Sequence, residues 1–171
     1  MADKSAFTPE EWQALRDAPQ LVSLAVATAG ASGLIGTLKE AFSSSMSLIE
    51  AMRSDNPLLR TISSREELTQ SQQSLRDLAK EAKGSAADFA QTKERIATRA
   101  IDTLRTALDA LQRKSPGDYE AYSAFVKGIG KRVAEAAKEG SFLGIGGERV
   151  SEGERQMLAQ LDRVLAPATR L

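Results

Sequence analysis

Apolar residues recur at three- and four-residue steps along most of this chain, with polar residues filling the gaps. That period is the signature of amphipathic α-helices. Thr8-Pro9-Glu10-Glu11 reads as a capping box, with Thr8 at N-cap, Pro9 at N1 and Glu11 at N3. Phe7 and Trp12 then fall at the hydrophobic-staple positions, so the single tryptophan reads as a local packing group. A first helix is expected to about Asp17, and Pro19 to open a second that presents Leu21, Val22, Ala25, Val26 and Ala29 on one face. Gly30-Ala31-Ser32-Gly33 breaks it. A third helix is expected from about Leu34 to Arg53, with Leu34, Ile35, Leu38, Phe42, Ile49 and Met52 as its stripe.

Asn56-Pro57 ends that helix, and 57–62 reads as a short apolar connector. Ser64 with Glu67 predicts another capping box and a fourth helix through Leu68, Leu75, Leu78 and Ala82, stopping near Gly84. The fifth has the clearest stripe: Ile96 or Ala97, Ala100, Ile101, Leu104, Ala107, Leu108 and Leu111. Ser115-Pro116-Gly117-Asp118 reads as N-cap to N3 of a sixth helix carrying Tyr122, Phe125, Val126, Ile129, Val133 and Ala137, with Tyr119 and Tyr122 as core anchors. It ends at Gly140. A glycine-framed loop follows, and Ser151 with Glu154 caps a last helix that buries Met157, Leu158, Leu161, Val164 and Leu165. No segment alternates with period two. The pattern predicts an all-α, single-domain antiparallel bundle of about five to seven helices over residues 1–171.

Composition then narrows the chemistry. The chain has no histidine and no cysteine. It therefore lacks the side chain that titrates near neutrality, a thiolate nucleophile, and disulfides. Lys+Arg and Asp+Glu each total 23. No third of the chain departs from neutrality by more than two charges. That argues against nucleic acid as a partner, since such proteins carry a basic excess. The first residues carry no apolar run, and with the absence of cysteine this predicts work in the cytoplasm. Residues 18–38 hold no charge. They read as two buried helices joined by a small-residue turn; the alternative is a membrane-interacting protein that inserts residues 18–52.

One internal echo runs through the sequence. Val26-Ala27-Thr28-Ala29, then Gly33, Leu34, Gly36 and Glu40, parallels Val133-Ala134-Glu135-Ala136, then Gly140, Gly144 and Glu154. It suggests a helix–turn–helix pseudo-repeat at 19–53 and 119–165. Two units of this kind resemble the tellurite-resistance TerB-like family, most closely over 133–165. The resemblance implies an all-α fold and a stress-response metal-binding module. Where the family places an aspartate before the turn glycine, this chain has Ala31-Ser32-Gly33 and Lys138-Glu139-Gly140.

The remaining constellations favour structure over catalysis. The glycines from Gly140 to Gly147 lack the spacing of a dinucleotide or P-loop fingerprint. Glu10, Glu11, Glu66, Glu67, Glu152 and Glu154 lie in first helical turns, where the macrodipole and capping account for them. Glu40 and Glu50 share the most apolar helix and are the carboxylates most open to burial. The serine runs at 43–45 and 63–64 have no evident base. No catalytic, cofactor-binding or metal-ligating residue is expected, and no cofactor. The expected function is a non-catalytic bundle acting through protein–protein contacts, as a homo-oligomer or scaffold. Phe142, Leu143, Ile145, Leu34 and Ile35 are its expected interface residues, because exposed apolar clusters mark contact sites.

Overall fold

The computed structural model describes residues 4–30, 51–81, 89–139 and 151–166. Among them are six α-helices and no strand. In chain order these are α1 (Pro9–Gly30), α2 (Pro57–Ile62), α3 (Arg65–Glu81), α4 (Phe89–Lys114), α5 (Tyr119–Glu139) and α6 (Glu152–Leu165). The expected all-α bundle is the observed one.

α1 is the axis of the bundle. Sixteen of its residues are buried, on every side of the helix, and α3, α4, α5 and α6 all pack against it. A helix that is apolar all round has to sit inside. The capping box at its start forms as read: Thr8 Oγ1 accepts from the Glu11 amide at 3.2 Å, and the Glu11 carboxylate accepts from the Thr8 amide at 2.8 Å. Phe7 and Trp12 meet with ring centroids 5.9 Å apart, and Lys4 Nζ lies 5.5 Å above the indole.

Pro19 does not open a new helix; it sits inside α1. A proline there removes one N–H and leaves the carbonyl four residues back without its donor. That carbonyl belongs to Leu15, and the phenol of Tyr122, fully buried on α5, donates to it at 2.9 Å. The helix runs on because another helix supplies the missing donor. Burial, and then the charge of Asp17, push the Tyr122 phenol well above its ordinary pKa of 10.0. It stays a neutral donor throughout the physiological range.

Two other local expectations are corrected. Residues 57–62 are not a connector but the single helical turn-and-a-half α2, because the Asn56 side chain caps it at the Leu59 amide (3.1 Å) and Pro57 takes N1. Ser115 does not cap α5: its hydroxyl donates to Asp118 Oδ2 at 2.6 Å, and Pro116–Asp118 forms a 3-10 turn ahead of the helix. The last capping box, Ser151 with Glu154, is present in full.

α4 lays its stripe of Ile96, Ala100, Ile101, Leu104, Ala107, Leu108 and Leu111 into one core cluster that extends from Phe7 to Leu165. It runs antiparallel to α1, since Glu11 near the start of α1 meets Arg113 and Lys114 at the end of α4. The start of α6 abuts the end of α1. A Cβ on Gly153 would stand 2.3 Å from the Ala29 carbonyl oxygen, and one on Gly30 would stand 2.6 Å from the Glu154 carboxylate. Glycine at 153, against backbone, lets the two helix ends approach this closely.

The third predicted helix, from about Leu34 to Arg53, lies outside the described residues except for its last turn at 51–52. So do Glu40, Glu50, the turns of the pseudo-repeat, and the loop at 141–147.

Candidate functional site

The helices bring ionisable groups together at two places that the periodicity alone did not mark. The first lies between α1 and α3. Arg16 and Asp17 face inward and are 9% and 4% exposed, which makes them core residues rather than part of a solvated face. Arg16 Nε donates to Asp17 Oδ1 at 2.7 Å and Nη2 donates to Oδ2 at 3.2 Å, a two-pronged grip on the carboxylate. Arg16 Nη1 reaches Gln70 Oε1 at 2.5 Å and lies 3.7 Å from Glu67 Oε2. Glu67 is itself 4% exposed and accepts from Lys4 Nζ at 2.6 Å. Ser64 caps α3 through the Glu67 amide at 3.4 Å. The capping role predicted for Glu67 is thus only half right: its backbone is capped, but its carboxylate is drawn to Lys4 and Arg16.

The second place joins α1 to α4. Glu11, 7% exposed, accepts from Arg113 Nη2 at 3.0 Å and from Lys114 Nζ. The Lys114 hydrogen bond, the Thr8 amide and the charge of Arg113 hold its carboxyl below the usual value of 4.5. A carboxylate whose pKa is lowered on folding stabilises the native state above its unfolded pKa. That stabilisation is lost as pH falls from about 4.5 through the lower folded value. The melting temperature is therefore expected to decline on acidification below pH 4.5, and less steeply in a Glu11→Gln variant. Equal slopes in the two proteins would remove Glu11 from the account. Glu152, held low by Arg155 and Gln156, contributes to both slopes and cancels in the difference.

Between these ties runs an open trough of about 1020 Å³. α3 and α4 both rest on α1 but scarcely touch each other, so a strip of α1 forms the floor. Ala14 and Leu21 line that floor, Leu75 and Leu78 stand on the α3 wall, and Thr98, Thr103 and Thr106 are on the α4 wall. Exposed charges rim it: Glu10, Asp77, Glu94 and Asp102, with Arg95 and Arg99. A second, shallower hollow of about 270 Å³ lies over Leu59, Phe125 and Ile129.

Chemically, these arrangements hold helices together and offer a surface. Among the described residues, no group of three or more acidic side chains is placed to hold a metal ion. No helix among them is long and apolar enough to cross a membrane, and residues 18, 19 and 21–28 of the uncharged segment are buried in α1. The five residues expected at an interface, Leu34, Ile35, Phe142, Leu143 and Ile145, all lie outside the described residues.

Sequence reasoning missed Arg16 and Asp17 because it ended the first helix at Asp17. The signal was present: once the helix continues through Pro19, both residues fall inside a long apolar run. Comparison of the chain with protein-family models, curated proteins and solved structures finds no match. The resemblance to the TerB-like family rests on the quoted residues alone.

Proposed function

We propose that this chain is a non-catalytic helical bundle that works in the cytoplasm through protein–protein contacts, as a self-assembling scaffold or structural component. One observation carries the reading. The buried ionisable groups that the helices gather are engaged with one another, Arg16 with Asp17 and Glu11 with Arg113 and Lys114, and the trough left open is rimmed by exposed charges. Enzyme sites instead gather perturbed ionisable groups in a concave pocket where they can meet a substrate. The absence of cysteine and histidine supports the same reading from the composition.

Sedimentation velocity tests it. The expected result is a particle heavier than the 18.4 kDa monomer at micromolar concentration. A Phe142→Ser/Leu143→Ser double variant should form less of it without loss of helicity. A parent protein that sediments as a monomer would overturn self-assembly.

A further inference from the structure

We draw no further inference here: the strongest candidate, the open trough between α3 and α4 with Ala14 and Leu21 of α1 as its floor, carries nothing, because nothing in the structure shows what covers it.

Discussion

Replacing Arg16 with methionine is expected to destabilise the fold by about 3–5 kcal/mol, the range for removing one partner of a buried ion pair. The side chain is 9% exposed and grips both oxygens of Asp17, which is 4% exposed. It also reaches Gln70 and approaches Glu67 across the α1–α3 boundary. Methionine fills most of the space and supplies no charge. Asp17 would then be a buried carboxylate without its cation, and Glu67 would retain only Lys4, which is half exposed. In a chain of this length each kcal/mol lowers the melting temperature by roughly 2–4 °C, so a fall of roughly 6–20 °C should be seen by calorimetry. Most of that loss comes from stranding the carboxylate and not from forfeiting a favourable bond. An Arg16→Met/Asp17→Asn double variant should therefore recover part of the stability. A single variant that melts within about 2 °C of the parent would show that the pair is not desolvated as described.

The second large effect concerns Tyr122. Its phenol donates to Leu15 O, the carbonyl that Pro19 deprives of a helical partner. Tyr122→Phe keeps the ring and removes the donor, leaving a buried acceptor unsatisfied at a cost of about 1–3 kcal/mol. The mechanism makes a sharper forecast in a second background. Pro19→Ala restores an N–H that can bond Leu15 O in the ordinary helical way. There, Tyr122→Phe should cost less, and the double-mutant cycle should show a coupling of about 0.5–2 kcal/mol, measured by urea denaturation. An identical cost in both backgrounds would separate Tyr122 from the proline.

Much of the local structure was legible in the sequence because its causes lie within a few residues. The Thr8–Glu11 and Ser151–Glu154 boxes, the Phe7–Trp12 staple and the stripe of α4 follow from spacing and side-chain chemistry alone. The errors have a common source. Pro19 reads as a helix start because, within one segment, a proline inside a helix leaves a carbonyl without its donor. Tyr122, 107 positions beyond Leu15, answers that carbonyl, and local spacing gives no hint of it. Glu67 reads as a cap because its partners Lys4 and Arg16 are likewise distant in sequence. Arg16 and Asp17 look like the end of an amphipathic helix until the neighbouring helices enclose them.

The trough was not legible at all. It depends on α3 and α4 lying on the same helix at a separation that leaves a gap, a matter of packing angles and volumes that no single stripe encodes. Sequence by itself determined that this chain is helical, where several of its helices begin, and that histidine and cysteine chemistry are closed to it. Helix period, capping and composition are properties of neighbouring residues. Tertiary structure decided that α1 runs unbroken through a proline, which charges are buried, and where an open groove remains. Burial and long-range hydrogen bonds exist only once distant segments meet.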